Sequence, residues 1–268
     1  MNDSHTKLNP KIKAYLDRID YNGLLDGSAD TLANLQECHL KAVPYENIDI
    51  LQEIPLSLEI DDLFDKVVNR HRGGYCFELN AIFRWLLEEL DYQVTSLMAR
   101  FWKDEPNPPP KRRHHVLKVA AENTNYLCDV GVGVPIPLRP IKMEECLEQK
   151  INGQSYKLER TGDPYVGWML FELKEGEWCR LYSFTEEPQY QKDFIMATYW
   201  CENASDSIFI NDAMVAIRTD EGRNTIDGKK FKLFRTDGVK TFTPQTKKEY
   251  KDALKKYFGI DLEINWLD

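Results

Sequence analysis

The spacing of apolar residues changes character near position 90 of this chain. Before that point the period is helical, most clearly where Leu79, Ile82, Phe83, Leu86, Leu87 and Leu90 recur. These residues follow Arg72-Gly73-Gly74-Tyr75-Cys76-Phe77-Glu78-Leu79-Asn80, whose paired glycines permit a sharp turn, so Cys76 falls at or within the first turn of a helix. Three further helices are predicted. One covers residues 10–20, with Pro10 at an early position. Another runs from Thr31 to Ala42, capped by Asp30 and stopped before Pro44. The third spans Asp61 to Asn69 and carries Leu63, Phe64, Val67 and Val68. Between the last two, Val43-Pro44-Tyr45-Glu46-Asn47-Ile48-Asp49-Ile50 reads as a proline-led connection into an extended piece.

Strand formers dominate from Tyr92 to Trp102. A stiff loop from Lys103 to Arg113, containing Pro106, Pro108, Pro109 and Pro110, separates them from a strand at His114–Ala120. A turn at Glu122–Asn125 leads into Tyr126-Leu127-Cys128-Asp129-Val130-Gly131-Val132-Gly133. Asn152-Gly153 and Glu175-Gly176 mark hairpins between strand-like runs. The pattern predicts a small barrel or sandwich over residues 92–184, then a helix at Tyr190–Tyr199. Ile208–Ile210 and Met214–Ile217 resume the strand pattern, with turns at Asp227-Gly228 and Asp237-Gly238. A last helix takes Thr243 as its cap, Pro244 as its first residue and Gly259 as its stop. With no repeat and no low-complexity linker, the three segments pack closely.

Composition narrows function more than fold. The 268 residues are 42% hydrophobic and 12% aromatic, as in a globular protein. A mean hydropathy of -0.53 argues against a membrane protein, as does the lack of any run near the roughly 18 apolar residues that span a bilayer. The polar start, Met1 to Lys7, lacks the apolar core of a secretion signal. A net charge of -9 disfavours nucleic acid or an anionic membrane as the main partner, and leaves room for a local basic pocket. The six cysteines contain no CxxC pair and fit a reducing cytoplasm. No HExxH or Cys/His ligand pattern is present, so no metal is expected.

Cys76 is the candidate nucleophile, because the positive end of a helix favours thiolate over thiol. A nucleophilic cysteine needs a base and a group to orient that base. The only histidines downstream are His114 and His115. Asp129 ends an apolar strand, and pairing of that strand with the histidine strand would bring it near an imidazole. Side chains alternate along a strand, so one of the two histidines faces the cysteine, and the pattern leaves both open. Taken alone, the same residues read as a buried cysteine, a basic strand start and a turn-forming aspartate. Cys38, Cys146, Cys179 and Cys201 carry no motif and are read as structural, and Cys128 is read as a packed strand thiol.

In their order, the motifs resemble those of the arylamine N-acetyltransferase family. They are Val43-Pro44-Tyr45-Glu46-Asn47-Ile48, the Arg72–Asn80 stretch, His114-His115-Val116-Leu117-Lys118-Val119 and Tyr126–Gly133. Leu181-Tyr182-Ser183-Phe184, Glu187-Pro188-Gln189 and Ser205-Asp206-Ser207-Ile208-Phe209 follow. The resemblance covers most of positions 10 to 230. It is strong around Cys76 and Asp129 and weak over 141–165 and in the last helix. It implies an α+β fold with an N-terminal helical bundle over 1–90, a central β-barrel over 91–205 and a C-terminal α/β lid over 206–268, around a cysteine-protease-like core.

It further implies a Cys76, His114, Asp129 triad. The family's catalytic histidine is followed by one variable residue and an apolar pair, here His115 and Val116-Leu117, and His115 stands as the alternative. The implied co-substrate is acetyl-coenzyme A, and the implied acceptors are arylamines, hydrazines or N-hydroxyarylamines. Transfer would be ping-pong, in a cytoplasmic enzyme of xenobiotic metabolism acting as a monomer or weak homo-oligomer. Glu46 and Arg72 match paired structural positions. The coenzyme side would involve the basic run Lys111, Arg112 and Arg113, with Ser207 and Phe209. On the acceptor side, Tyr45 and Val132 stand where the family often has Phe; the smaller Val132 widens the cleft and Tyr45 adds a hydroxyl. Rival readings are a cysteine hydrolase or transglutaminase-like enzyme with the same triad, an amide synthase acting on polyketide-bound substrates, and, last, a non-catalytic binding module.

Overall fold

A computed structural model describes residues 9–103 and 108–267. The polar start Met1–Lys7 and Pro106 of the proline loop lie outside the described residues. In the first segment, α1 (Pro10–Arg18) and α2 (Ala29–Ala42) share a core with the cysteine helix. Ser28, rather than Asp30, caps α2: its Oγ accepts from Thr31 N at 3.1 Å, and Asp30 sits in the first turn. Only Tyr45–Glu46 of the extended piece is a strand (β1). The Glu46 carboxylate accepts from Ile48 N at 2.7 Å, and the chain turns into the short helix α3 (Ile48–Leu51). The third predicted helix divides into α4 (Ile60–Phe64) and a π-helical turn at Asp65–Asn69. The cysteine helix, α5, spans Cys76–Glu89, with Phe83 against His39 and Trp85 against Tyr15.

An eight-stranded antiparallel sheet follows. It comprises β2 (Gln93–Phe101), β3 (Arg112–Ala121), β4 (Thr124–Cys128), β5 (Ile141–Lys142), β6 (Gln149–Ile151), β7 (Gln154–Arg160), β8 (Trp168–Lys174) and β9 (Glu177–Pro188). The spatial order is 5-4-3-2-9-8-7-6. The Gln149 side chain accepts from the Lys142 N–H and donates to its carbonyl, both at 2.9 Å, which joins the two end strands and nearly closes a barrel. The predicted hairpins at Asn152-Gly153 and Glu175-Gly176 fall between β6 and β7 and between β8 and β9.

The helix expected at Tyr190–Tyr199 is a 3-10 turn, Gln191–Phe194, leading into α6 (Ile195–Asn203). Ile208–Ile210, expected as a strand, is a 3-10 turn: Ser207 caps it, and only Phe209 of the three is buried. Strands β10 (Met214–Thr219), β11 (Gly222–Asp227), β12 (Lys230–Arg235) and β13 (Gly238–Phe242) form the second sheet with β1 at its edge. The last helix, α7 (Lys247–Phe258), is capped by Thr246 rather than Thr243 and covers this sheet through Tyr250, Leu254 and Phe258. The pairing Tyr45↔Ala216 and Glu46↔Val215 inserts a piece of the first segment into the sheet of the third.

Side chains of β1 alternate, and Glu46 enters a buried ion cluster beneath the Cys76 turn. Arg72 donates to Glu46 at 3.0 and 2.7 Å and to Asp49 at 2.7 Å. Lys66 donates to Asp49 at 2.6 Å and to Glu78 at 2.7 Å. Glu78 accepts from Tyr75 N at 3.1 Å, so the cluster ends on the residue before the cysteine. Burial alone would lower the pKa of Lys66 and Arg72; the surrounding carboxylates overcome it and raise both.

Removing one partner of such a group leaves uncompensated buried charge. Arg72→Met is therefore expected to cost about 3–5 kcal/mol, read as a lowered urea midpoint by tryptophan fluorescence. The double variant Glu46→Gln/Arg72→Met should recover part of the loss. An unchanged midpoint in the single variant would refute a stabilising role for the cluster.

Candidate active site

Two close approaches shape the turn that carries the thiol. A Cβ on Gly73 would stand 1.9 Å from the Pro44 carbonyl oxygen, so this glycine is required by crowding. That closeness lets Gly74 accept from Glu46 N at 2.8 Å and fixes the turn against β1. On the other side, a Cβ on Gly131 would meet Cys76 Cα at 2.6 Å. The loop after Asp129 thus lies directly on the first residue of α5.

The strands carrying His114 and Asp129 pair as the sequence predicts, with Leu117 opposite Cys128. His114 Nε2 lies 2.8 Å from Asp129 Oδ2, with both groups buried. The other Asp129 oxygen accepts from Asn80 Nδ2 at 2.9 Å and Gly131 N at 2.8 Å. Cys76 and His114 stand together on the wall of one cleft, and the Cys76 thiol points at the Arg113 carbonyl, 3.8 Å away. Burial alone would lower the His114 pKa. The charge and hydrogen bond of Asp129, followed by those of Cys76, reverse that and raise it from 6.5 to about 10.

His115 points to the other face of β3. Its Nε2 lies 3.0 Å from Ser96 Oγ, and its ring is 4.1 Å from that of Phe194. Burial first, then the neighbouring His114 charge, holds its pKa well below the usual value. The alternation along β3 therefore puts His114, and not His115, against Cys76.

Cys76 and His114 open onto a cleft of about 860 Å³ whose far wall is the second sheet, at Ala216 and Thr225. Tyr45, Val132, Arg113 and Phe209 line it. Ser207 does not: it is fully buried, donates to the Cys201 carbonyl at 2.6 Å and accepts from Phe209 N at 3.3 Å, so it holds the turn that presents Phe209. Of the basic run, Lys111 pairs with Asp206 at 2.9 Å, Arg112 with Glu187 at 3.5 Å, and the Arg113 guanidinium carbon lies 5.7 Å from the Phe209 ring centre.

Two residues with no role assigned from sequence complete the site. Gln36 accepts from Asp129 N at 3.2 Å and donates to the Pro137 carbonyl at 3.2 Å; nothing in its sequence context marks it. Asn80 was given no role in the sequence analysis; the signal that could have found it is its spacing, four residues beyond Cys76 and so on the same helix face. Among the described residues, no cluster of three His, Cys, Asp or Glu could hold a metal ion. No described helix is long and apolar enough to cross a membrane.

Comparison with known proteins bears on the same chemistry. A family model described as N-acetyltransferase matches residues 28–267. The arylamine N-acetyltransferase of Mycobacterium tuberculosis is 33% identical over 256 residues, covering 94% of this chain and 89% of that protein. That of Escherichia coli is 31% identical over 215 residues, covering 80% and 75%. Among solved structures, the Mycobacterium marinum arylamine N-acetyltransferase in complex with CoA superposes with a TM-score of 0.85 at 33% identity, covering 93% of this chain and 92% of that one. The Salmonella typhimurium enzyme gives 0.89 at 25% identity, covering 94% and 92%. With Cys76 and His114 facing one cleft, Asp129 bonded to His114, and relatives matching over nearly its whole length, the chain belongs to the arylamine N-acetyltransferase family and is an acyltransferase.

Proposed function

We propose that this chain carries an acetyl group from acetyl-coenzyme A to an arylamine, arylhydrazine or N-hydroxyarylamine by way of an acyl-cysteine at Cys76. The observation that carries this reading is the buried sequence Asp129, His114, Cys76, in which the imidazole is held protonated beside the sulfur. In the first half-reaction, the Cys76 thiolate attacks the thioester carbonyl. A new S–C bond forms, the old one breaks, and coenzyme A leaves as a thiol with the His114 proton. In the second, the amine attacks the acyl-cysteine carbonyl and His114 takes the amine's proton. The N–C bond forms as the S–C bond breaks, and Cys76 returns to thiolate. Asp129 keeps the imidazole oriented in both steps.

The negative oxygen of each tetrahedral intermediate needs donors. The Glu78 and Leu79 N–H groups already bond the Tyr75 carbonyl, which leaves those of Cys76 and Phe77, first in α5, for that role. Lys103 and Lys111 line the cleft and would meet the coenzyme phosphates, with Phe209 along the pantetheine path. Tyr45 and Val132 would face the acceptor. All three triad residues come from one chain, so the chemistry needs no partner subunit. Six free cysteines fit a reducing cytoplasm, where acyl-coenzyme A thioesters are at hand.

Intact-protein mass spectrometry after mixing with acetyl-coenzyme A should show one added acetyl group, lost again on adding an arylamine. The Cys76→Ala variant should show none. Acetate released without any acetylated amine would instead favour a hydrolase.

The raised pKa of His114 gives a second expectation. The imidazolium's contribution to stability is complete below 6.5 and lost as pH rises through about 10. By NMR of ring-labelled histidine, His114 should keep both ring protons at about pH 8. In Asp129→Asn, burial is opposed only by Cys76, so the ring should be neutral there and turnover should fall about 10³–10⁴-fold. A wild-type ring neutral at that pH would refute the proposed pair.

A further inference from the structure

The segment Asp129–Pro140 follows β4, closes over Cys76 at Gly131 and is then gripped at two neighbouring carbonyls by two different elements. Gln36, on α2, donates to the Pro137 carbonyl at 3.2 Å, while its oxygen accepts from Asp129 N at 3.2 Å. Arg218, on β10, donates through Nη2 to the Ile136 carbonyl at 2.7 Å. The peptide that joins Ile136 to Pro137 has no N–H, so it is held through its oxygen alone. Pro135, Pro137 and Pro140 stiffen the segment, and a displacement at Ile136 is passed along it rather than absorbed.

Arg218 is a costly residue at that point. Met214, Ala216 and Arg218 alternate onto one face of β10, the face that puts Met214 and Ala216 on the cleft wall. Arg218 stands directly opposite Arg223 in the sheet, and like charges in that register repel. Its Nε is shut off from solvent and bonds nothing, and no carboxylate pairs with it among the described residues. Burial pushes its pKa down. A neutral apolar side chain would avoid the repulsion and the buried charge together.

What the cation makes there is the bond to Ile136. A second link from the segment to the end of β10 runs over partly exposed charges. Arg139 pairs with Glu37 at 2.7 Å, Glu37 with Lys41 at 2.9 Å and Lys41 with Asp220 at 2.8 Å. With the Asp220 side chain 87% exposed, that route restrains the segment weakly. The buried contact is the firmer of the two.

We propose that Arg218 is a positioning residue for the triad: by holding the Ile136 carbonyl it sets the adjoining Pro137 carbonyl, which orients Gln36 and through it the Asp129 carboxylate facing His114. The second sheet thus aligns the triad as well as walling the cleft. What that alignment is used for rests on the acyl-cysteine chemistry proposed above. The groups that face His114 are Asp129, Cys76 and the rings of Phe101 and Tyr182.

Removing Arg218 has two effects of opposite sign on that imidazole. Loss of a cation favours the imidazolium and raises its pKa, whereas a loosened Asp129 supports it less and lowers it. The direction of the change therefore separates positioning from bare charge.

Wild type, Arg218→Met, Arg218→Lys, Gln36→Leu and the Arg218→Met/Gln36→Leu double variant are compared by two measurements. One is NMR titration of the ring-labelled His114 signal of the folded protein. The other is the rate at which acetyl-coenzyme A acylates Cys76, followed by intact mass. Arg218→Met should lower the ring pKa by about one unit and slow acylation about tenfold to a hundredfold. Arg218→Lys keeps the charge and a donor and should recover part of both; it decides the matter if the methionine variant does not fold. The double variant should fall within about twofold of the more damaged single variant, because both residues act on one stretch of backbone. A ring pKa that is unchanged or raised in every folded Arg218 variant overturns the proposal, as does a double variant showing the full product of the single effects. Wild-type protein that takes no acyl group overturns the acyl-cysteine reading instead, and the ring titration still decides the role of Arg218.

Discussion

The Asn80 carboxamide, fully buried on α5, makes three hydrogen bonds to two other parts of the chain. Its nitrogen donates to the His115 carbonyl at 2.7 Å and to Asp129 at 2.9 Å, and its oxygen accepts from Val130 N at 3.0 Å. One side chain thereby joins the helix that carries the thiol, the strand that carries the base and the loop that carries the carboxylate. A buried polar group left unpaired costs about 1–3 kcal/mol, so displacing any one of these elements is penalised at several groups together. The distances within the triad follow from this constraint. Cys76 and Asn80 share a helix face, so fixing the amide also fixes the sulfur, and Gly131 allows the loop to close down on both.

The ion cluster does for the underside of the Cys76 turn what Asn80 does for its inner face. Glu78 is the third residue of α5; it bonds the backbone N–H of Tyr75 and is itself anchored by Lys66. On β1, Glu46 belongs to the cluster and Tyr45 to the cleft, so a two-residue strand connects the stability of the turn to the shape of the site. The second sheet cannot move as an independent lid without breaking the β1–β10 pairing. That pairing also holds Ala216 and the Tyr45 ring side by side on the cleft wall.

Much of this was legible because local chemistry determined it. The helical period after Cys76, the Asn-Gly and Glu-Gly hairpins and the stop at Gly259 are all local signals, and each lies where expected. Other features depend on tertiary partners that leave no local mark. Ser28 outcompetes Asp30 as the cap of α2 by geometry at the turn. Ile208-Phe209-Ile210 is apolar enough for a strand, but Ser207 is bonded to Cys201 across the turn and holds it as a single 3-10 turn. The choice between two adjacent histidines depends on which face of β3 meets α5, which sequence pattern leaves open. Arg113 lies within a basic run and looks like its neighbours; only the partners of Lys111 and Arg112 set it apart.

The histidines also show what sets the proposed base apart. Three of them are buried to a similar depth. His39 has only the Tyr15 hydroxyl at 2.8 Å, and burial, then the Arg18 charge, lowers its pKa to about 3. His115 has Ser96 and an aromatic neighbour, and its pKa falls well below the usual value. His114 suffers the same desolvation yet moves the other way. Burial cannot be the source of its charge, because burial acts equally on all three and always against the imidazolium. What differs first is one carboxylate at 2.8 Å, itself held by Asn80 and by the Gly131 N–H, and after it Cys76. Positioning Asp129 is therefore the step by which this fold turns an ordinary buried histidine into a charged one, and the cysteine gains its partner as a consequence.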